Sequence, residues 1–221
     1  MHVRAEHRHD LDHAPAPASG LAVIHADAQL VVLDKPSGLL TVPAKPPGPS
    51  DCLETRARAA FPGARLVHRL DRDTSGVIVF ALTALAQRHL GWQFERRQVA
   101  KTYLARVTGR VAGEAGRIDL PLACDWPNRP RQMVTPRGKP AVTDWQVIAR
   151  EPDATRLRLR PLTGRSHQLR VHLAALGHPI LGDPFYGDPA SADRLQLHAE
   201  SLGFRHPLGG APVSFRAETP F

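Results

Sequence analysis

The side chains best suited to chemistry lie in one short polar stretch, residues 67–76, which reads Val-His-Arg-Leu-Asp-Arg-Asp-Thr-Ser-Gly. It carries two carboxylates, Asp71 and Asp73, beside two guanidinium groups, an imidazole and two hydroxyls. A carboxylate can act as a nucleophile or a general base, and a pair of carboxylates can hydrolyse a glycosidic bond. The simplest alternative is a solvated turn whose charges pair with one another.

An apolar run, residues 77–82, follows the polar stretch directly and ends at Thr83. Its length and β-branched content predict a buried strand. A polar loop at the end of a buried strand is held by that strand while it stays open to a ligand. This position suits a functional loop, although position alone leaves the solvated turn open.

The rest of the chain predicts short strands alternating with amphipathic helices. One helix is expected from Asp51 to Phe61. Another begins after its N-cap Thr83 and runs to about Arg97, with Leu85 on its apolar stripe. A third helix follows the turn after residue 162, with an inner stripe of Leu169, Leu173 and Leu176. Strands are expected at residues 23–24, 30–33, 99–107, 118–122 and 156–160, and another opens at residues 138–141 and runs through Val147.

The composition is basic, since 29 Lys and Arg against 21 Asp and Glu give a formal net charge of +8. This charge favours a polyanionic partner, of which nucleic acid is the commonest. Only 12 residues are aromatic, which is little material for a sugar-stacking groove and weighs against a glycoside hydrolase. Cys52 and Cys124 have no paired spacing for zinc or redox chemistry. Without a signal peptide or a membrane-length apolar run, a cytoplasmic protein is expected.

The length predicts a single domain, residues 21–221, with a substantial core. Residues 1–20 hold four histidines and an Ala-Pro run without apolar periodicity, which predicts a disordered tail. No carboxylate or thiolate shell accompanies these histidines, and no metal site is expected there.

Three more motifs accompany the central stretch: Lys-Pro-Ser-Gly at 35–38, Lys-Thr-Tyr at 101–103, and Gly-Arg-Ser-His-Gln-Leu-Arg-Val-His at 164–172. With His-Arg-Leu-Asp-x-x-Thr-Ser-Gly around Asp71, they resemble, in order, the signatures of the RluA family of pseudouridine synthases. The resemblance covers about residue 20 to the C-terminus. It implies an α+β fold, a mostly antiparallel, curved mixed sheet with flanking helices. Many members of the family carry a small RNA-binding module before the catalytic domain, and residues 1–20 are too few for it, so no separate N-terminal RNA-binding module is expected.

The resemblance also implies roles for individual residues. Asp71 takes the place of the catalytic aspartate, Arg170 is its partner, and Tyr103 packs against the uracil. Arg69 is expected to fill the stack that a flipped-out base leaves, with His68 beside it supporting the loop. Further RNA contacts are expected from Arg165, His167, Arg129 and Arg131. Pseudouridine formation moves uracil from its N1 to its C5 attachment on C1′ and consumes nothing, so neither a cofactor nor a metal is expected.

The segment Cys124–Gln132 carries a tryptophan, two prolines and two arginines, which suit stacking and phosphate contact. It resembles the dual-specificity subgroup of the family, whose members act on transfer RNA and ribosomal RNA. We therefore expect a monomeric RNA-binding enzyme without membrane contact, acting on the tRNA anticodon stem-loop and on 23S rRNA. A 23S-rRNA-only synthase, a non-catalytic RNA-binding module, and a glycoside hydrolase using Asp71 and Asp73 remain as alternatives.

Overall fold

The computed structural model describes residues 20–44, 48 and 50–221, and the predicted tail lies outside them apart from Gly20. Three α-helices occur in the described part: α1 (Leu53–Ala60), α2 (Ala84–Glu95) and α3 (Gln168–Ala175). The strands there are β1 (Ala22–Ala26), β2 (Leu30–Lys35), β3 (Arg65–Leu66), β4 (Ser75–Ala81), β5 (Ala100–Thr108), β6 (Ala115–Asp119), β7 (Leu122–Cys124), β8 (Gln132–Val134), β9 (Val142–Arg150), β10 (Ala154–Pro161), β11 (Leu197–Arg205) and β12 (Pro212–Arg216).

Ten of these strands form one open sheet in the order β1-β2-β4-β11-β5-β10-β9-β6, with β12 paired to β11 and β3 to β4. Strands β7 and β8 form a separate hairpin. All pairings in the large sheet are antiparallel except that of β4 with β11. The mostly antiparallel α+β fold expected from the sequence is confirmed.

Strand β4 is the apolar run predicted to be a buried strand, and every residue in it is buried. Its side chains alternate between the two faces of the sheet. Val77 and Val79 pack in the cluster under α2, whereas Ile78 and Phe80 pack in the cluster under α1. The polar stretch therefore leads into the best-covered strand of the sheet.

The one parallel pairing depends on Gly76. This residue has φ +111° and pairs with Ala199 of β11. A Cβ at residue 76 would lie 2.2 Å from the Ala199 carbonyl oxygen, so only glycine lets the strands approach this closely. The glycine of the Thr-Ser-Gly segment is therefore required for strand packing where the loop enters the sheet.

Helix α2 begins as predicted, with the Thr83 side chain accepting a hydrogen bond from the Ala86 amide. Leu85 is nevertheless 61% exposed, because it points about a quarter turn away from the buried Ala86–Leu90 side. Leu176 is also exposed, since it is the C-cap that follows the last turn of α3. The strand predicted at 118–122 is divided at Pro121 into the end of β6 and the start of β7.

Helix α3 covers the other half of the sheet, where Leu173 packs against Leu157, Leu159 and the Trp145 ring. Tyr103 packs against both this cluster and the cluster under α1, so it lies where the two halves of the core meet. No helix of the described residues is long and apolar enough to cross a membrane.

Candidate active site

The polar stretch is held by the turn that follows β2. Lys35 is fully buried, and its ammonium group donates to the carbonyl oxygens of Leu39 and Arg72 at 2.6 Å each and to that of Pro36 at 2.8 Å. Burial lowers the pKa of Lys35 to about 7, against the opposing effect of Asp73 and Asp71. This contact ties the Lys-Pro-Ser-Gly motif to the backbone immediately after Asp71.

Two hydroxyls complete the attachment of this loop. The Thr41 hydroxyl donates to the Leu70 carbonyl at 2.7 Å and accepts from the Leu70 amide at 3.2 Å. The Ser37 hydroxyl donates to the Asp73 carbonyl at 2.7 Å. Asp73 itself is buried and paired with Arg72 at 3.0 Å. The backbone is therefore fixed on both sides of Asp71, and Asp73 serves an internal ion pair.

The carboxylate of Asp71 faces a buried guanidinium group from the third motif. The Nη1 atom of Arg170 lies 3.8 Å from Asp71 Oδ2. The Arg170 side chain is 2% exposed, and Nε and Nη2 donate to the two oxygens of Asp183 at 2.8 and 2.6 Å. Burial opposes the charge of Arg170, but the hydrogen bonds to Asp183 and the charges of Asp183 and Asp71 raise its pKa. Arg170 is thus a fixed positive charge beside Asp71.

Sequence reasoning missed the groups that orient Arg170. Asp183 is fully buried and accepts hydrogen bonds from the amides of Phe185 and Tyr186 at 2.9 and 3.1 Å. The two aromatic rings lie 5.1 and 5.3 Å from the Arg170 guanidinium carbon. The signal available was the Leu-Gly-Asp segment at 181–183, where a carboxylate follows a buried run directly.

Tyr103 enters the same cleft from β5. Burial raises its pKa above the ordinary value, and the negative charge of Asp71 adds to the effect. Its hydroxyl makes no hydrogen bond with any other residue that the structure describes, although it lines the cleft together with Asp71. The hydroxyl is therefore neutral at physiological pH and open to a ligand.

These groups line a cleft of about 600 Å³, a size usual for small-ligand pockets. Seven of the nine predicted site residues line it, namely Asp71, Tyr103, Arg170, Arg69, His68, Arg165 and His167. The structure thus brings together the motifs that the sequence separates by up to about 100 positions.

The remaining two, Arg129 and Arg131, line an adjoining cleft of about 930 Å³ that also reaches Asp71. The Arg129 guanidinium lies 4.5 Å from the ring centre of Trp126, which is 68% exposed. That of Arg131 lies 5.9 Å from the Phe185 ring. This adjoining cleft therefore combines exposed cations with aromatic surface.

A hydrogen-bonded chain connects the 124–132 segment to α3. The Gln132 amide donates to the Tyr186 hydroxyl at 2.7 Å, and that hydroxyl lies 2.8 Å from His167 Nδ1. A hydroxyl can donate once and accept twice, so the direction of its bond to His167 depends on the histidine tautomer. Burial lowers the pKa of His167, which favours the neutral ring. His167 therefore orients the site besides lining it.

His68 and Arg69 are neighbours in very different settings. The His68 ring stacks on Phe94 at 4.5 Å, and its Nε2 accepts from the Val79 amide at 3.2 Å. Burial, followed by the nearby charge of Lys101, lowers the pKa of His68 to about 3. Arg69 is exposed and makes no ion pair or hydrogen bond within the described residues. His68 is an internal support, and Arg69 is a free cation at the junction of both clefts.

Other members of the third motif have internal partners. Gln168 donates to the Val142 carbonyl and the Thr143 hydroxyl at 3.0 Å each. His172 contacts the Thr143 hydroxyl at 2.9 Å and the Leu120 carbonyl at 3.0 Å. In the described part of the chain, no three His, Cys, Asp or Glu side chains form a group that could hold a metal ion. Gln168 and His172 therefore attach α3 to β9.

A family model described as RNA pseudouridylate synthase matches residues 29–175. The Dual-specificity RNA pseudouridine synthase RluA of Yersinia pestis is 54% identical over 206 residues, which cover 91% of this chain and all of that protein. Its namesake from Escherichia coli K12 is 49% identical over 212 residues, 94% and 97% of the two chains. The solved structure of Human RNA Pseudouridylate Synthase Domain Containing 1 superposes with a TM-score of 0.78 at 29% identity, covering 94% of this chain and 86% of that one.

Proposed function

Because this chain belongs to the RNA pseudouridylate synthase family, we propose that it isomerises uridines in two kinds of folded RNA loop, the anticodon stem-loop of transfer RNA and a loop of 23S ribosomal RNA. The pseudouridine synthase activity itself follows from that membership. The residue roles and the choice of RNA are the proposal. One observation carries the roles: a buried arginine, held by Asp183, faces Asp71 in a cleft of suitable size.

Asp71 is the proposed catalytic carboxylate. It attacks C1′ of the target uridine or removes a proton from C2′ while the N1–C1′ bond breaks. The freed uracil turns and C5 bonds to C1′, as the Asp71–C1′ bond breaks in the first route or the proton held by Asp71 returns to C2′ in the second. The C5 proton then leaves and N1 gains a proton, so the product is an isomer of the substrate. The contacts that Lys35 and Thr41 make with the neighbouring backbone support this role, because a reacting group has to be held in a narrow range of positions.

Arg170 is proposed to orient the Asp71 carboxylate. Its guanidinium group lies 3.8 Å from Asp71 Oδ2 and offers a fixed positive charge on that side. Asp183 is proposed as a positioning residue that acts through Arg170. Its bidentate contact leaves Arg170 Nη1 directed at Asp71, and this arrangement supports the assignment.

Tyr103 is proposed to pack against the uracil and to assist removal of the C5 proton. Its raised pKa means that the phenol stays protonated, so it can accept the C5 proton only while its own hydroxyl proton passes to a base such as water in the cleft. A hydroxyl without a partner among the described residues is available for such a relay.

Arg69 is proposed to occupy the stack that the target base leaves when it is flipped into the cleft. Its exposure and its lack of partners in the described chain support this, since a side chain that inserts into RNA must first be free. Arg165 and His167 are proposed to contact RNA within the cleft, and Arg129 and Arg131 beyond it.

Dual specificity is proposed because the cleft beside the 124–132 segment presents stacking and phosphate-binding groups rather than a set of fixed base contacts. Such a surface can accept two RNAs that share a folded loop. Every residue given a role comes from one chain, which is the basis for proposing a monomer, and we place it in the cytoplasm, where both RNAs occur.

The test uses purified protein, short stem-loops of both kinds and counting of the pseudouridine formed in each. We expect both stem-loops to be modified by the wild type and neither by Asp71→Asn. Modification of only a long, structured ribosomal fragment would instead support the 23S-rRNA-only enzyme.

A further inference from the structure

A third cleft, of about 840 Å³, adjoins the Asp71 cleft on the side of α2. We call it the α2-side cleft; it is lined by residues 94–95, 97–102 and 160–165. The two clefts share Phe94, Lys101, Pro161, Thr163, Gly164 and Arg165. Among the charged lining residues, the cations Arg97, Lys101, Arg160 and Arg165 face a single acid, Glu95. The surface beside the active site is therefore strongly positive.

Strand β10 shows that one of these cations is left free while its neighbours are paired. Arg156 is bonded to Glu151 at 2.8 Å, and Arg158 lies 3.7 Å from Glu200. Arg160, next on the same side of the strand, is exposed and has no ion pair or hydrogen bond with the residues described. The nearby acid Asp144 is bonded to Nε and Nη2 of Arg117, and its charge also acts on Arg160 without forming an ion pair. Of these three arginines of β10, Arg160 lines the α2-side cleft and has no ion pair within the described residues.

Arg97 carries a second, independent signal. It follows α2 with φ +59°, and the Gln98 amide closes the helix by donating to the Gln93 carbonyl at 2.9 Å. This left-handed position after a helix is usually glycine, because other residues are strained there. The Arg97 side chain is exposed and, like that of Arg160, makes no ion pair or hydrogen bond in the described part of the chain. An arginine at a position that favours glycine, with its side chain unpaired, is a candidate for contact with a ligand.

Lys101 joins the two clefts. It is partly buried, and its ammonium group donates to the Thr163 carbonyl at 3.1 Å. Burial, together with the charge of Arg97, lowers its pKa to about 8, so it remains mostly charged at neutral pH. Lys101 and Arg165 line both clefts, and Arg97 and Arg160 line the α2-side cleft beyond them.

We propose that the α2-side cleft binds the phosphates of the RNA strand that leaves the Asp71 cleft, with Arg97 and Arg160 as its principal contacts. This inference rests on the proposed function, since it concerns the same RNA. Guanidinium groups suit phosphates, and the lining offers only the Phe94 ring for base stacking. Contacts on this side are therefore independent of base sequence, unlike the aromatic surface at Trp126.

The test compares Arg97→Gly, Arg160→Ala and the double variant with Arg110→Ala. Arg110 is an exposed arginine beyond the far end of β5, outside the clefts and without an ion pair or hydrogen bond in the described residues. The probe is a stem-loop RNA that the wild type modifies, and its Kd is measured between about 50 and 200 mM salt. Turnover at saturating RNA and the melting temperature are measured on the same samples.

We expect each substitution in the cleft to raise Kd several-fold and to reduce the slope of log Kd against log salt by about 0.7–0.9 per lost phosphate contact. Arg110→Ala should keep the wild-type slope. Arg97→Gly should melt at or above the wild-type temperature while it binds more weakly, which separates lost binding from lost folding. Turnover at saturating RNA should fall far less than affinity.

A wild-type salt slope in the double variant would overturn the proposal, as would an equal change in Arg110→Ala. If the proposed function were wrong, the outcome would be distinguishable, because the wild type itself would then form no pseudouridine in the stem-loop.

Discussion

Charged side chains buried inside the active site are fixed by partners, whereas those at its exposed edge are not. We call that edge the rim and define it by Arg69, Arg129 and Arg131. Arg170 and Asp183 are buried and bonded to each other through two hydrogen bonds. Arg69, Arg129 and Arg131 are exposed and have no carboxylate partner within the described residues. Fixed charges suit a reaction that needs one geometry, and free cations suit RNAs that differ in detail. Substitutions inside should therefore act on turnover, and substitutions on the rim should act on binding or base flipping.

The largest effect is expected from Asp71→Asn. It removes the carboxylate that we propose to react and leaves the cationic surface intact, so isomerisation should stop while Kd for RNA changes by no more than a few fold. Pseudouridine formation and RNA binding are measured on the same preparation. Asp119→Asn, at an exposed carboxylate of β6, is the control and should be fully active.

Retention of about a tenth of wild-type turnover by Asp71→Asn, equivalent to only 1.4 kcal/mol of barrier, would contradict the assignment. If the protein were a non-catalytic RNA-binding module, Asp71→Asn would leave its function unchanged. If the protein were a glycoside hydrolase, the wild type would release reducing sugar from a glycan.

The next effect concerns the support of Arg170. Asp183→Asn leaves a buried guanidinium group without its counter-charge, which should lower stability by about 3–5 kcal/mol. It should also lower kcat, because Arg170 then loses its fixed direction towards Asp71. Glu200→Gln is a matched control, since Glu200 is a buried carboxylate bonded to Arg216 and close to Arg158.

Both variants should unfold at lower urea concentration, but only Asp183→Asn should lose turnover when assayed well below its melting temperature. If the two lose turnover in proportion to stability, Asp183 is structural and has no positioning role.

A smaller effect is expected at Arg69, the rim cation close to Asp71. Arg69→Ala should slow turnover about tenfold while Kd rises by less than threefold, because in the proposed role the side chain acts after the base has left its stack. Arg65→Ala, at an exposed arginine of β3, is the control. Placing the target uridine in an already unstacked bulge should shrink the deficit, and an unchanged deficit would argue against a role in base flipping.

The sequence motifs predicted Asp71, Tyr103 and Arg170 as a unit, and the structure brings all three to one cleft. Helix caps such as Thr83 were also predictable, because they depend on residues three positions apart. The roles of Lys35 and Asp183 could not be predicted in this way. Lys35 contacts Arg72, 37 positions away, and Asp183 contacts Arg170, 13 positions away, and no local pattern encodes either contact. His68 illustrates the same limit: its neighbours in sequence are charged, but its neighbours in space are Phe94 and the Val79 amide.

The last effect concerns the pH dependence of stability at His68, a buried neighbour of the exposed Arg69. Its folded pKa of about 3 lies below the ordinary value of 6.5, so between these values the unfolded chain binds the extra proton and the folded chain does not. The stabilising effect of the neutral ring is therefore complete above pH 6.5 and is lost progressively as the pH falls. Between about pH 7 and 5 the loss should be on the order of 1–2 kcal/mol. His68→Gln, which keeps an acceptor for the Val79 amide, should be less stable at neutral pH but should lose that much less on acidification, as measured by urea unfolding at the two pH values. An equal loss in both proteins would mean that the His68 ring takes up a proton without opposing the fold.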